Sequence, residues 1–187
     1  MAVNAIHSDI RGEIYLEALR LENRGEKILK LNTGNPAAFG FDYPISIKNA
    51  IKNHISDFAP YSDSKGIAEV RECVLNYHIN NGFICVNEED IYLTNGVSEG
   101  ASMLVGALVD FGDEILLPSP CYGLWPNNIL LCSGKPVFYR CDEENNWQPD
   151  INDIEKKISE NTKAMLIINP NNPTGAVYTK ETLLQIA

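Results

Sequence analysis

From Asp90 onward, short apolar runs alternate with stretches of helical periodicity. The apolar runs are IYLT, EILL, PVFY and AMLII, and the helical patterns cover about 97–110, 121–131, 151–159 and 179–187. Strands that alternate with helices form mainly parallel sheets whose faces are covered by helices. The sequence therefore predicts an α/β fold with a three-layer α/β/α arrangement. Ligands of such sheets bind at the loops that follow the carboxyl ends of the strands.

The first ninety residues carry a different pattern. Apolar spacing predicts a helix over 8–23, a helix after Pro44 and a helix over 66–81, and it indicates a short strand over 27–31. The stretch NTGNPAAFGFDYP, residues 32–44, contains several glycine and proline breakers together with the aromatic residues Phe39 and Phe41. We expect it to be an irregular loop.

Composition excludes several classes of function. The chain has 187 residues, of which 44% are hydrophobic and 21% charged, as in globular proteins. A formal net charge of -10 disfavours nucleic acid as a partner. No apolar run reaches the ~20 residues of a membrane-spanning helix, and the N-terminus lacks the pattern of a secretory signal. Five irregularly spaced cysteines without a CxxC motif predict a cytoplasmic protein with no disulfide framework and no zinc site.

The motif GVSEG lies between a predicted strand and a predicted helix. There the first backbone N–H groups of the helix and the Ser98 hydroxyl would point to one place, which is the geometry of a phosphate site. Alternatively, Gly96 only makes the tight turn and Ser98 only caps the helix. The motif matches neither GxGxxG nor GxxxxGKS, so an ordinary nucleotide-binding domain is disfavoured.

The stretch PSPCY follows the second predicted strand. Its two prolines fix the backbone and hold the ring of Tyr122 in a defined place, where it can stack on a flat heteroaromatic ligand. The alternative is that Tyr122 and the nearby Trp125 pack in the core.

The heptad NPNNPTG is the most unusual stretch of the chain. Two Asn-Pro dipeptides and a glycine after a strand specify a stiff, polar loop. Asn172 can hydrogen-bond a phenolate-type oxygen, whereas Asn169 and Asn171 are candidates for satisfying the backbone.

Together these loops resemble the cofactor site of the fold type I pyridoxal-phosphate aminotransferases of class I/II, and among them the bacterial glutamate-pyruvate (alanine) branch. The matching stretches occur in the family's order and are LNTGNPAAFGF, YSDSKG, IYLTNGVSEG, LLPSPCYGLW and NPNNPTGAVY. The resemblance covers nearly the whole chain. It implies pyridoxal 5'-phosphate as cofactor, an amino acid and a 2-oxo acid as substrates, and a homodimer with shared active sites.

The resemblance also implies roles for individual residues. Binding of the cofactor phosphate is implied for Gly96, Val97 and Ser98. Tyr122 would stack on the pyridine ring, and Asn172 would contact its 3-oxygen and the substrate. Two further positions resemble family residues that act at the site: Tyr61, which would reach the phosphate of the partner subunit, and Gly34, whose backbone would touch the substrate.

The family's Schiff-base lysine, its aspartate partner for the ring nitrogen and its substrate-binding arginine lie beyond the last residue of this sequence. The sequence also stops two turns into its last predicted helix. We therefore expect a fragment of a protein about twice as long. The resemblance implies an N-terminal small-domain segment over 1–45 and the first half of the large domain over 46–187. It further implies that IYLT lacks its neighbouring strands.

The expected activity of the full-length protein is transamination between alanine and 2-oxoglutarate. An aspartate, aromatic or methionine specificity is the close alternative. A catalytically inactive cofactor-binding or interaction module is a second hypothesis, which the missing lysine favours.

Overall fold

The computed structural model describes residues 12–31, 33–83 and 85–187. These residues belong to two compact units. One comprises 27–95, and the other comprises 96–187 together with the segment that ends at Glu26. The division at residue 45 into small-domain and large-domain parts stays a prediction.

The unit that contains 96–187 is built of alternating helices and strands. Its elements are α1 (Glu13–Asn23), α4 (Gly96–Leu108), β1 (Glu114–Ser119), α5 (Leu124–Leu131), β2 (Lys135–Asp142), β3 (Gln148–Pro149), α6 (Ile151–Lys157), β4 (Thr162–Met165) and α7 (Lys180–Ile186). The unit of residues 27–95 contains α2 (Ile45–Asn53) and α3 (Ala68–Asn80).

The four strands form one sheet in the order β3-β2-β1-β4. β1 pairs in parallel with β2, with Leu117 opposite Phe138, and in parallel with β4, with Leu116 opposite Met165. The short β3 is antiparallel to β2. The sheet is therefore mainly parallel, as the sequence predicts, with an additional antiparallel edge strand that the sequence pattern did not indicate.

Side chains that alternate along β1 divide the core into two layers. Ile115 and Leu117 pack on one face with Val105 of α4 and Ile129 of α5. Leu116 packs on the other face in a cluster whose further members are Tyr139, Cys141 and Ile154, with Ile186 against it. Helices thus cover both faces of the sheet, which confirms the three-layer α/β/α prediction.

The direction of α4 follows from its contacts at the amino edge of the sheet. A Cβ added to Gly134, just before β2, would lie 2.4 Å from Val109 Cγ1 and 3.0 Å from Ile129 Cγ2. The C-terminal end of α4 therefore lies at the amino edge. A 13-residue helix and a six-residue strand each span about 20 Å, so the α4 N-terminus at Gly96 lies at the carboxyl edge.

The segment 65–66 is attached to residues 88–93 within the unit of residues 27–95. The backbone N–H of Leu93 donates to Lys65 O over 2.8 Å, and Lys65 Nζ donates to Glu89 O over 2.9 Å. The buried Arg71 donates through Nε to Gly66 O over 3.2 Å and pairs with Glu88 over 3.3 Å. These bonds hold the end of the YSDSKG stretch against the segment that leads toward Gly96.

Two strand predictions are wrong. Residues 27–31 and 91–94 form neither helix nor strand, and both segments lie outside the sheet. A strand needs a neighbour to accept its backbone hydrogen bonds, and local sequence does not supply one. For 91–94 this outcome agrees with the expectation that IYLT lacks its neighbouring strands.

The predicted helices are confirmed with shifted ends. Thr179 caps α7 as expected, because its hydroxyl accepts from the Thr182 N–H over 3.1 Å. The predicted helix over 66–81 is α3, and the one over 121–131 begins at Leu124. The predicted start at Ser8 lies outside the described residues, and the helix there is described from Glu13.

Candidate functional site

The order of the strands defines where a ligand should bind. After β1 the chain passes through α5 and enters β2, which is the neighbour of β1 at one edge. It later passes through α6 and enters β4, which is the neighbour of β1 at the opposite edge. The two crossover connections cover opposite faces of the sheet. The crevice at such a reversal, outside the carboxyl ends of the strands, is the usual ligand site of doubly wound sheets. Here the reversal lies between β1 and β4.

Two of the predicted loops flank this reversal. The loop that carries Tyr122 follows β1, and the loop that carries Asn172 follows β4. The N-terminus of α4 lies at the same edge of the sheet, as shown above. The fold thus brings the Gly96–Ser98 segment, Tyr122 and Asn172 to one edge of one unit.

The N-terminus of α4 has the features of an anion site. Gly96 has a φ of +76°, a conformation that favours glycine, and a Cβ there would meet nothing within 4 Å. Val97 and Ser98 are exposed in the first helical turn. The first N–H groups of an α-helix have no acceptor within the helix, and the dipole makes this end positive.

Tyr122 is half-buried between β1 and α5. Its backbone carbonyl accepts from the Trp125 N–H over 3.2 Å and from the Cys121 thiol over 3.5 Å. Trp125 packs against the apolar core on the α4 and α5 face, whereas Tyr122 is absent from that cluster. Of the two aromatic residues, Trp125 therefore takes the packing role and Tyr122 remains the candidate for stacking.

The three asparagines of NPNNPTG have different environments. Asn169 Oδ1 accepts from the Tyr178 backbone N–H over 2.9 Å, as the backbone-satisfying interpretation expects. Asn171 is buried, and its Nδ2 donates to the Thr174 hydroxyl over 2.9 Å. Asn172 is exposed. Asn169 is exposed as well, but its Oδ1 already accepts from the Tyr178 N–H, so Asn172 is the candidate for presenting its amide to a ligand.

These residues fit a phosphorylated heteroaromatic group. The helix N-terminus suits a phosphate, the half-buried Tyr122 suits a flat ring, and the exposed amide of Asn172 can donate to a phenolate-type oxygen. One buried acceptor, Asn171 Oδ1, has no hydrogen-bond partner among residues 12–31, 33–83 and 85–187. It lies next to Asn172 in the same loop.

The thiols of Cys121 and Cys141, near the site, are poor candidates for a nucleophile. Burial, followed by the nearby Cys141, raises the pKa of Cys121 to about 12. Burial also raises the pKa of Cys141. A thiol is reactive as its thiolate, which these pKa values disfavour at neutral pH. The part of the chain that the structure describes contains no cluster of side chains that could hold a metal ion.

Gly34 and Tyr61 belong to the other unit, that of residues 27–95. Gly34 is exposed in an irregular segment, and a Cβ there would meet nothing within 4 Å. The side chain of Tyr61 is fully exposed. Both residues are accessible to a ligand or to another subunit, and their predicted roles stay predictions.

Sequence reasoning did not identify the residues that support these loops. Gln148 is buried on β3, and Tyr178 is buried three positions after the end of the NPNNPTG heptad. Tyr178 is the last residue of the matching stretch NPNNPTGAVY, so the sequence did contain a signal that could have identified it. No periodic pattern marks Gln148, because β3 has only two residues.

Comparison with known proteins identifies the family. Residues 26–187 match the family of class I and II aminotransferases, so the chain belongs to this family. The glutamate-pyruvate aminotransferase AlaA of Haemophilus influenzae is 49% identical over 178 residues, which cover 95% of this chain and 44% of that protein. An alanine aminotransferase of Mycobacterium tuberculosis is 50% identical over 179 residues, which cover 95% of this chain and 42% of that protein.

A solved structure agrees in fold. An aminotransferase from Escherichia coli superposes with a TM-score of 0.94 at 46% identity, covering 99% of this chain and 46% of that one. The chain therefore spans less than half the length of the proteins it matches. No helix in the described ranges is long and apolar enough to cross a membrane.

Proposed function

We propose that the chain forms the cofactor-binding part of a pyridoxal-phosphate-dependent aminotransferase. The observation that supports this most strongly is that the N-terminus of α4, the Tyr122 loop and the Asn172 loop lie at one edge of a doubly wound sheet. Each of these three groups offers a different kind of contact to the same cofactor. The membership of the chain in the class I and II aminotransferases supports the same conclusion.

Each residue has a defined task in this proposal. The first-turn N–H groups of Gly96, Val97 and Ser98, with the Ser98 hydroxyl, bind the phosphate. Tyr122 stacks on the ring, and the Asn172 amide donates to the 3-oxygen. When bound, pyridoxal phosphate supplies a protonated ring that withdraws electrons from the reacting carbon of the substrate.

We propose alanine and 2-oxoglutarate as the substrates, and Gly34 and Asn172 as residues that contact them. Support comes from the names of the relatives at 49% and 50% identity, which are glutamate-pyruvate and alanine aminotransferases. The lysine that carries the cofactor would come from sequence that this chain does not contain. We further propose a cytoplasmic homodimer in which Tyr61 completes the neighbouring site.

The experiment is a transamination assay of the full-length protein with a panel of amino donors. With 2-oxoglutarate as acceptor, alanine should react faster than aspartate, tyrosine or methionine. The purified protein should also absorb visible light through its bound cofactor. A colourless protein that added pyridoxal phosphate does not change would contradict the proposal, and a preference for another donor would contradict only the substrate.

A further inference from the structure

The segment that follows the Asn172 loop is held on both sides by a single buried side chain, Gln148. Its Nε2 donates to Val177 O over 3.0 Å. Its Oε1 accepts from the Thr179 backbone N–H over 3.0 Å and from the Thr182 hydroxyl over 3.2 Å. The amide of Gln148 therefore bonds to the backbone on either side of Tyr178, as a neighbouring strand would.

Tyr178, between these two bonds, is anchored through three groups. Its ring is buried, and its backbone N–H donates to Asn169 Oδ1 over 2.9 Å. Its hydroxyl lies 3.8 Å from Cys141 Sγ on β2. The end of the loop is thus attached to β2 as well as to β3.

The start of the same loop is attached to β2. The Tyr139 hydroxyl donates to Leu166 O over 3.0 Å, directly after β4. Between the two anchored ends the loop bonds to itself: the Asn171 N–H donates to Ala176 O over 2.8 Å, and the Gly175 N–H donates to Asn171 O over 2.7 Å. The exposed Asn172 therefore lies in a loop whose two ends are both fixed.

We propose that Gln148 and Tyr178 are positioning residues for cofactor recognition, which hold the loop of residues 166–178 so that the Asn172 amide is in place before the cofactor binds. The inference rests on the proposed function. A loop that is ordered in advance loses less conformational entropy on binding, so its ligand binds more tightly. Neither residue needs to touch the cofactor itself.

Tyr178→Phe and Gln148→Leu in the full-length protein test this role. Phenylalanine removes only one oxygen, and leucine keeps most of the volume of glutamine while removing all three bonds. The matched controls are Tyr77→Phe and Gln185→Leu, which alter exposed residues of the same types. The dissociation constant of pyridoxal phosphate should rise about threefold to tenfold in Tyr178→Phe and about tenfold or more in Gln148→Leu. The controls should match the wild type.

Two further measurements separate positioning from general destabilisation. In the cofactor-free protein, amide hydrogen exchange should accelerate at residues 169–178 and stay unchanged in α4. The visible absorption band of the bound cofactor should shift in both variants, because its position depends on the hydrogen bond to the 3-oxygen. Acceleration throughout the protein, without a shift of the band, would overturn the positioning role.

A double-mutant cycle with Asn172→Ala provides the sharpest comparison. If Tyr178 acts through Asn172, adding Tyr178→Phe to Asn172→Ala should change the dissociation constant by less than about twofold. If the losses of binding free energy caused by Tyr178→Phe and by Asn172→Ala add in full, the inference is overturned. If the wild type binds no cofactor, the proposed function itself is wrong. A different outcome would make only the positioning role wrong. In that outcome the wild type binds pyridoxal phosphate and Asn172→Ala weakens this binding, but Tyr178→Phe and Gln148→Leu bind it as tightly as the wild type.

Discussion

The hydroxyl of Ser102 on α4 donates to Oδ1 of Asn128 on α5 across 2.8 Å. The same hydroxyl lies 2.9 Å from Ser98 O, so its single proton is shared between two acceptors. Asn128 is itself oriented, because its Nδ2 donates to Leu124 O over 2.8 Å. This contact joins the helix that begins with the candidate phosphate segment to the helix that follows Tyr122.

Ser102→Ala should lower the free energy of unfolding by about 0.5–1.5 kcal/mol, because the Asn128 carbonyl oxygen loses its donor. Urea denaturation measures this change. Ser56→Ala, at an exposed serine of the other unit, serves as the control and should change stability by less than about 0.5 kcal/mol. Equal stability of Ser102→Ala and the wild type would mean that the contact contributes nothing.

Protonation of the Glu114 carboxylate should lower the stability of the folded protein in acid. Hydrogen bonds from Lys135 first, over 2.6 Å, and then from Ser159, over 2.7 Å, hold the pKa of Glu114 below its usual range. Because the folded pKa is the lower one, this contribution is complete above the unfolded pKa of about 4.3. It is lost as the pH falls through the folded value.

Urea denaturation at several pH values between 3 and 7 should therefore give a falling free energy of unfolding below about pH 4.5. The decline should be smaller in Glu114→Gln. The control is Glu155→Gln, at an exposed residue of α6, which should keep the wild-type slope. A Glu114→Gln curve parallel to that of the wild type would contradict the prediction.

Gly66 lies in contact with Leu93, and a side chain there should be costly. Its φ is +98°, and an added Cβ would lie 2.5 Å from Leu93 Cδ1 and 2.7 Å from Leu93 Cβ. Gly40, in the same unit, has a φ of +86° and open space at the Cβ position. Gly40→Ala should cost about 1–2 kcal/mol for the backbone conformation alone. Gly66→Ala should cost at least about 1 kcal/mol more, for the overlap.

A second experiment tests whether Leu93 causes the difference in stability between Gly66→Ala and Gly40→Ala. Leu93→Gly removes Cδ1, Cγ and Cβ of this residue, which are the three atoms nearest to the new Cβ. In the Leu93→Gly background, Gly66→Ala and Gly40→Ala should therefore lower the free energy of unfolding by similar amounts in urea denaturation. A difference that persists in this background would show that Leu93 is not its cause.

The exposed hydroxyl of Tyr61 allows a test of the shared site in the full-length protein. We expect Tyr61→Phe to weaken cofactor retention about tenfold to a hundredfold, because a hydrogen bond to a charged phosphate is among the stronger ones. Dimerisation should remain, since only one oxygen is removed. Fluorescence titration with pyridoxal phosphate and sedimentation measure the two quantities.

Hybrid dimers give the decisive result for Tyr61. Subunits with Tyr61→Phe are mixed with subunits that lack their own cofactor-binding lysine. One of the two sites in each hybrid should then contain every wild-type group and regain activity. A monomer in sedimentation, or hybrids without activity, would mean that Tyr61 does not act in a neighbouring site.

Short-range patterns in the sequence determined the helices, three of the four strands and the chemistry of the loops. Apolar periodicity places α4 to α7, the Thr179 hydroxyl caps α7, and the Asn-Pro dipeptides specify the stiff loop after β4. These features depend on residues a few positions apart, so local sequence is sufficient for them. The same holds for the resemblance to the aminotransferases, whose motifs are contiguous.

Only the tertiary structure decided which residues pair and which are buried. Residues 27–31 and 91–94 have strand-like composition but lie outside the sheet, because a strand exists only where a distant segment accepts its hydrogen bonds. Burial likewise separates Asn171 from Asn172, which are identical in sequence terms. The three bonds of Gln148 reach residues 29 to 34 positions away, and no local pattern encodes such a contact.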